Sequence, residues 1–138
     1  MPILFFSEGI RFKLPHPRKT ARWIEKSGQA EKLKIGTLNY IFCSDSYLHK
    51  VNKQYLNHDT LTDIITFPND DPEGISADIF VSIPRVRENA RHFKVSFDQE
   101  LHRVLIHGLL HLAGLKDKTE REKARMREKE EAYLSLRT

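Results

Sequence analysis

Two histidines and an aspartate lie close together in and just after the most apolar run of the chain. His107 and His111 are four residues apart, and Asp117 follows six residues later. On a helix, side chains four residues apart project from nearly the same face, so both imidazoles can reach one ion. Gly114 can adopt the positive φ that a chain reversal needs, which would bring the Asp117 carboxylate toward the two rings. The spacing predicts a metal site with three protein ligands.

Three protein ligands leave a coordination position open, as in catalytic zinc sites, whereas structural zinc sites are usually closed by four ligands and rich in cysteine. Cys43 is the only cysteine of the chain, so the ligands must be His, Asp or Glu and no internal disulfide forms. We expect one Zn²⁺ ion, while iron, nickel and manganese also suit two imidazoles and a carboxylate. The alternative is that the three residues merely lie near a helix end, but unpaired polar side chains in an apolar run are costly to bury.

The residue beside the first histidine decides which chemistry is favoured. A protease site of the H-E-x-x-H kind places a glutamate there as general base, and this chain has Gly108. The nucleophile would then be a metal-bound water activated mainly by the ion. Phosphodiester cleavage suits such a site, because a cation directly stabilises the charge that builds on phosphoryl oxygens. A metal-dependent peptide hydrolase is the alternative. Gly108 inside a helix costs about 1 kcal/mol relative to alanine, which indicates close packing or approach of a substrate.

Length and composition limit the architecture. The chain has 138 residues, of which 39% are hydrophobic and 30% charged, which fits a single domain over residues 1–138 with one core. The apolar start is interrupted by Ser7 and Glu8 and is too short for a signal peptide or a membrane span. We therefore expect a cytoplasmic protein with no membrane contact.

The basic residues are distributed unevenly. A net charge of +4 weakly favours a polyanionic partner such as nucleic acid. Between residues 120 and 131 basic and acidic residues alternate, which predicts a solvated helix face. Two other groups are less compensated, namely Arg11, Lys13, Arg18, Lys19 and Arg22 near the start, and Arg85, Arg87, Arg91, His92 and Lys94 in the middle.

The elements that must position the three candidate ligands follow in quick succession. Hydrophobic patterns and turn residues predict strands near residues 3–6, 38–43, 64–67 and 78–82. Helices are expected from about 17 to 27, from 44 or 45 to about 56, with Pro84 in the first turn of the third, and then after Ser96 and after Thr119. Gly28 is expected to stop the first helix, and Pro68 to close the third strand. Phe93 and Leu136 are expected to be buried.

These elements do not alternate strictly between strand and helix. Such a mixture favours an α+β fold, with a small mixed four-stranded sheet covered by about five helices and a central metal-binding helix. Leu101, Val104, Leu105, Leu109 and Leu112 surround the two histidines, which predicts burial of that helix on most sides.

The run from His107 to Asp117 resembles the signature of the YbeY family, bacterial rRNA maturation factors described as zinc-dependent single-strand endoribonucleases. The family usually shows H-G-x-L-H-L-x-G-Y-D-H. Matching positions are His107, Gly108, Leu110, His111, Leu112 and Gly114. Leu115 and Lys116 replace Tyr and Asp, and Asp117 stands where the third histidine falls. Aspartate is a competent zinc ligand.

A second stretch is similar to the family's N-x-x-Y-R-x-K-D-x-P-T-D-V-L-S-F-P. It comprises Asn52, Tyr55, Asp59, Thr62, Asp63, Ile64, Ile65, Thr66, Phe67 and Pro68, and Ala77-Asp78-Ile79 then resembles the family's G-D-I strand. Leu56 occupies the place of the family arginine that is suspected of phosphate contact, and His58 that of a nearby lysine. A role that belongs to the arginine therefore does not transfer to this chain.

The resemblance implies an endoribonuclease of rRNA maturation, acting in 16S rRNA 3′-end processing and ribosome quality control. It implies zinc at His107, His111 and Asp117, with single-stranded RNA or rRNA as substrate and the ribosome or a ribosomal subunit as partner. The alternative is a non-catalytic ribosome-assembly factor in which zinc is structural. The oligomeric state stays open.

Another residue must supply the cation that Leu56 lacks. The sequence offers His58, Arg85, Arg87 and Arg91, and we favour His58 as a third catalytic residue beside His107 and His111. The resemblance places its loop beside the metal, and a histidine also shuttles protons. A solvated loop histidine is the alternative. Asp63 and Asp78 are expected to hold strand ends, and His102, about 140° around the helix from His107, to be a satisfied helix-face residue.

Overall fold

The computed structural model describes residues 3–56 and 62–137, which form an α+β fold of four strands and five helices. The strands form one mixed sheet in the order β1-β2-β4-β3, in which β1, β2 and β4 are parallel and β3 is antiparallel. The elements in chain order are β1 Ile3–Glu8, α1 Pro17–Ala30, β2 Ile35–Cys43, α2 Asp45–Leu56, β3 Ile64–Asn69, β4 Ile75–Ser82, α3 Ile83–Phe93, α4 Phe97–Leu112 and α5 Glu120–Ser135. The predicted fold class is confirmed.

β3 is an edge strand and runs further than its sequence indicated. Pro68 was expected to close it, but this prediction is wrong, because Pro68 pairs opposite Ala77 and the strand continues to Asn69. Proline lacks the backbone N–H that a strand with neighbours on both sides uses for pairing. An edge strand tolerates it, because one of its sides is free of ladder hydrogen bonds. The strand therefore extends past the proline along one side of the cleft described below.

Gly28 does not end α1. The helix continues to Ala30, and the chain reverses where Lys32 adopts a φ of 61°. Gly28 is buried, and a Cβ added to it would lie 2.7 Å from Cδ1 of Ile35. The glycine thus permits close approach of α1 to the start of β2, and the prediction of a helix stop was wrong.

α4 is the central helix of the fold, as expected. It packs against the sheet and against α1, α3 and α5, and it begins after Ser96, whose hydroxyl accepts a hydrogen bond from the backbone N–H of Gln99 at 3.0 Å. Gly108 faces the sheet, where an added Cβ would lie 3.0 Å from Cδ1 of Ile64 and 3.4 Å from Cγ2 of Ile79. Close packing, rather than approach of a substrate, explains this glycine.

α5 opens with the predicted capping box, in which the side chains of Thr119 and Glu122 each accept from the other's backbone N–H. Met126 and Tyr133 are buried against the core. Phe93 and Leu136 were expected inside and are instead exposed, because each lies at or just beyond the end of its helix. No helix within residues 3–56 and 62–137 has the length and apolar character to cross a membrane.

Candidate metal centre

The structure brings the three candidate ligands of the sequence together. Nε2 of His107 and Nε2 of His111 each lie 3.4 Å from Oδ2 of Asp117. The two imidazole rings are 4.5 Å apart between centroids and nearly perpendicular to one another. One donor atom from each residue falls within 4.8 Å of the other two, which is the clustering that coordination of a single ion requires.

The end of α4 produces this convergence. After Leu112 the chain turns at Gly114, whose φ is +97° and whose N–H donates to the carbonyl of His111. A Cβ at Gly114 would meet no atom of the described part of the chain within 4 Å, so the backbone conformation rather than lack of space favours glycine here. The N–H of Leu115 returns to the carbonyl of Leu110 at 3.1 Å. The reversal predicted from Gly114 therefore directs Asp117 back toward the histidines.

Both histidines have their second ring nitrogen hydrogen-bonded. Nδ1 of His107 lies 2.5 Å from Oε2 of Glu130, and Nδ1 of His111 lies 3.1 Å from the carbonyl oxygen of Leu115. Because a carboxylate and a carbonyl only accept, Nδ1 is the donor in both bonds and the lone pair of Nε2 remains for an ion. Two imidazole nitrogens and one carboxylate oxygen, oriented in this way, fit a divalent metal.

Sequence reasoning missed Glu130, because the alternating charges of α5 indicated a solvated face. The side chain is 3% exposed, and its second oxygen, Oε1, accepts from Nη1 of Arg103 at 3.0 Å. Arg103 also donates from Nε to Glu100 at 2.8 Å and from Nη2 to the same carboxylate. The sequence did contain an indication that Glu130 is buried, since Met126, Glu130 and Tyr133 are spaced four and three residues apart and share the buried face of the helix.

A buried network of charged side chains, Glu100, Arg103 and Glu130, therefore supports His107 from within the protein. Burial lowers the pKa of Arg103, but hydrogen bonds and charges from Glu100 and Glu130 outweigh this effect and raise the pKa above its ordinary value. The guanidinium stays charged between two buried carboxylates. Glu130 consequently has one partner on each oxygen, which fixes its position relative to His107.

The three residues open into a cleft of about 670 Å³ formed by α2, β3, α4 and the loop that follows α4. Lining residues in the described part of the chain are Asn52, Thr62, Asp63, Ile64, Ile65, Thr66, Pro68, His107, His111, Leu112 and Asp117. No lysine or arginine is among them. Within the described residues, the positive charge for a phosphate at this cleft would have to come from a bound ion.

The alternative cations predicted from the sequence lie elsewhere. His58 falls outside the described residues. Arg85 lies 3.2 Å from the Asp45 carboxylate, and Arg91 donates to Glu88 at 2.9 Å. Arg87 lies over the ring of Phe97, and none of the three arginines lines the cleft.

Asp63, Asp78 and His102 each have a hydrogen-bond partner outside the metal centre. Asp63 lies directly before β3 and accepts from Nδ2 of Asn89 at 3.2 Å, which agrees with a structural role at a strand end. Asp78 accepts from Nδ2 of Asn39 at 3.0 Å, but it lies in the middle of β4, so the expectation that it holds a strand end was wrong. His102 is buried, with Nδ1 2.7 Å from the carbonyl of Asp98. It does not join His107 and His111, as expected from its position around the helix.

Comparison with known proteins identifies a family. Residues 11–137 match the family model described as "Endoribonuclease YbeY". A Christiangramia forsetii protein named Endoribonuclease YbeY is 52% identical over 134 residues, which is 97% of this chain and 93% of that protein. A Cytophaga hutchinsonii protein of the same name is 51% identical over 136 residues, covering 98% and 95% of the two chains. The solution structure of a Thermotoga maritima protein aligns with a TM-score of 0.60 and 32% identity, covering 96% of this chain and 87% of the other.

Proposed function

The chain belongs to the YbeY family of endoribonucleases, and we propose that it cleaves RNA at the cleft that contains His107, His111 and Asp117. The observation that carries this proposal is the convergence of two Nε2 atoms and one carboxylate oxygen at an open cleft, in a chain that matches the family over residues 11–137. Hydrolysis of a phosphodiester bond is the chemistry that this donor set supports.

We infer that these three residues hold one Zn²⁺ ion. Zinc accepts imidazole nitrogen and carboxylate oxygen, and a site with three protein ligands leaves room for water or substrate. When bound, such an ion acts as a Lewis acid on phosphoryl oxygens and lowers the pKa of water. The protein contributes orientation: Glu130 holds the ring of His107, and the Leu115 carbonyl holds that of His111.

His58 is proposed to contact the scissile phosphate or to move a proton. The described walls of the cleft contain no lysine or arginine, and the resemblance puts Leu56 at the family's arginine position. The test is His58→Ala, which is expected to lower the rate of RNA cleavage without loss of bound metal, whereas cleavage at the wild-type rate would remove His58 from the mechanism.

The proposals for the substrate, the compartment and the partner follow the family resemblance. We propose that the substrate is single-stranded rRNA, that the chain acts in the cytoplasm on the ribosome or a ribosomal subunit, and that it processes the 3′ end of 16S rRNA and serves ribosome quality control. A ribosomal subunit with an unprocessed 3′ extension is the appropriate substrate for testing this assignment, with a mature subunit as the matched control.

A non-catalytic assembly factor with a structural ion is the second candidate. It is favoured by one specific observation, the link from His107 through Glu130 to Arg103 and Glu100, because an ion there would tie α4, α5 and the loop after α4 together. A peptide hydrolase is less well supported. Its general base would stand at Gly108, whose backbone packs closely on Ile64 and Ile79.

One experiment separates these functions. Metal content is measured on wild type, His107→Ala and His92→Ala, an exposed histidine on α3, and each is assayed under metal-clean conditions with labelled RNA and with casein. Loss of metal and of RNA cleavage in His107→Ala alone supports the proposal. Equal RNA cleavage by all three proteins points to a contaminating nuclease, and casein cleavage that depends on His107 supports the peptide hydrolase. Metal loss with melting, in a protein that never cleaves RNA, supports the assembly factor.

A further inference from the structure

A second cleft lies on the side of α4 that faces away from the metal centre. It encloses about 270 Å³ between α1, the start of α4 and the end of the chain. Its lining residues are Pro15, His16, Lys19, Thr20, Arg22, Trp23, Lys26, Asp98, His102, Leu136 and Arg137. His102 marks its position, because it lies about 140° around α4 and about 7.5 Å along the axis from His107. We call this the α1 cleft.

The α1 cleft carries a row of positive charge. Lys19, Arg22 and Lys26 are three and four residues apart on α1, so they share one face of the helix. All three side chains are exposed, and no described carboxylate lies within 4.0 Å of them. From Lys19 to Lys26 the row covers seven residue steps, about 10 Å of helix, which suits successive phosphates of a chain better than one small anion.

The rest of the cleft does not neutralise this row. Among the described residues that line the cleft, Asp98 is the single carboxylate, and it accepts from Nη2 of Arg137 at 2.6 Å. The four lysine and arginine side chains thus exceed the carboxylate by three charges, against a net charge of +4 for the whole chain. Burial lowers the pKa of His102, so its ring is neutral at pH 7.

Stability does not explain the row. Like charges three and four residues apart on a helix repel one another, and Arg18 and Lys19 stand in the first turn of α1, where the helix dipole favours acidic residues. α1 has no acidic residue in that turn, whereas α5 begins with Glu120 and Glu122. The charge pattern of α1 is unfavourable for the isolated helix, and a bound polyanion would compensate it.

We propose that the α1 cleft binds the phosphodiester backbone of a segment of the RNA substrate remote from the scissile bond. This inference rests on the proposed function, because it takes RNA as the substrate of the metal centre. The two clefts lie on opposite sides of α4, so one RNA reaches both only if it extends around the molecule. The α1 cleft therefore contributes to recognition of long or folded RNA and not to the cleavage of short oligonucleotides.

The test uses the full chain with Lys19→Gln, Arg22→Gln and Lys26→Gln combined. Binding is measured in a His111→Ala background, so that cleavage of the RNA does not obscure the result. Two RNAs are compared. One is a hexanucleotide that consists of a single-stranded site, and the other is a long structured RNA that contains the same site. On the long RNA the triple variant is expected to bind about tenfold more weakly and to lose about two units of slope in log K against log salt, since each phosphate contact contributes about 0.7 to 0.9. The hexanucleotide should bind equally to both proteins.

The matched control replaces Lys32, Lys34 and Lys94 by glutamine, which removes the same charge from exposed positions outside the cleft. Circular dichroism and thermal unfolding establish that both triple variants fold. The inference is overturned if the control weakens long-RNA binding as much, or if the α1 variant weakens both RNAs equally. Unchanged binding of the long RNA would also overturn it and would leave the α1 cleft to a partner other than RNA. If the chain with an intact metal centre fails to cleave RNA while these binding differences hold, the proposed function alone is contradicted.

Discussion

Oε2 of Glu130 accepts a hydrogen bond from Nδ1 of His107 at 2.5 Å, which joins the middle of α5 to the metal centre on α4. The residues are 23 positions apart in the chain, and the carboxylate is buried. Because Nδ1 is the donor, Nε2 carries the lone pair that a metal needs. Glu130 therefore sets the tautomer and the ring orientation of one candidate ligand, a role that is typical of carboxylates behind zinc-binding histidines.

Replacement of Glu130 by glutamine is expected to weaken metal binding about 10- to 100-fold, because loss of such outer partners usually has an effect of this size. The measurement is competition of each protein with a fluorescent zinc chelator at pH 7. Glu131→Gln, an exposed neighbour on the same helix, is the control and should bind as wild type. Unchanged affinity in Glu130→Gln would mean that the hydrogen bond does not orient a ligand.

Arg103 is expected to be essential for stability. Its removal as Arg103→Met leaves the buried carboxylates of Glu100 and Glu130 without their shared cation, and breaking a buried pair in this way costs about 3 to 5 kcal/mol. Urea unfolding of wild type and Arg103→Met measures this loss in the free energy of unfolding. Arg91→Met removes an exposed pair with Glu88 and should change the free energy of unfolding by less than about 1 kcal/mol.

A double variant tests the cause of that loss. Glu100→Gln combined with Arg103→Met removes one of the two unpaired charges, so it should be more stable than Arg103→Met alone. If the double variant is less stable than the single one, lost packing of the arginine side chain rather than uncompensated charge explains the effect.

Gly114 is expected to matter for both folding and metal binding. Alanine at a φ of +97° is strained by about 1 to 2 kcal/mol, and relaxation of that strain would move the loop that presents Asp117. Gly9→Ala is the matched control, because Gly9 also has a positive φ, +69°, and lies outside the metal cleft. Both variants should lose stability in urea, and only Gly114→Ala should lose zinc affinity. Equal zinc affinity in the two variants would show that Asp117 reaches its place without this turn.

The metal centre was accessible to sequence reasoning because its geometry is local. Helical spacing brings His107 and His111 to one face, and one glycine reversal returns Asp117, so three residues within eleven positions determine the arrangement. Glu130 was missed because its burial depends on how α5 packs on α4, and the interleaved charges of α5 concealed that face. Pro68 and Gly28 were misread for a related reason. An edge position tolerates proline, and a close helix–strand contact requires glycine, and both conditions arise only from tertiary packing.

The pH dependence of stability provides a test of the buried His102. Burial lowers its pKa below the ordinary value, and this effect exceeds the opposing contributions of the Asp98 carbonyl and carboxylate. The folded state then binds a proton less readily than the unfolded state, whose histidine titrates near pH 6.5. The stability that neutral His102 contributes is complete above about pH 6.5 and is lost as the pH falls from there toward the lower pKa of the folded state, by at most about 1.4 kcal/mol per pH unit.

Urea unfolding of metal-free wild type and His102→Gln from pH 8 to pH 5 measures this contribution, because the other histidines titrate in both proteins and cancel in the difference. We expect the two curves to run parallel above about pH 7 and wild type to lose stability faster below about pH 6.5. Curves that stay parallel across the whole range would show that His102 is protonated equally easily in the folded and unfolded chains. Burial between Trp23 and Thr20 would then not exclude the charged form.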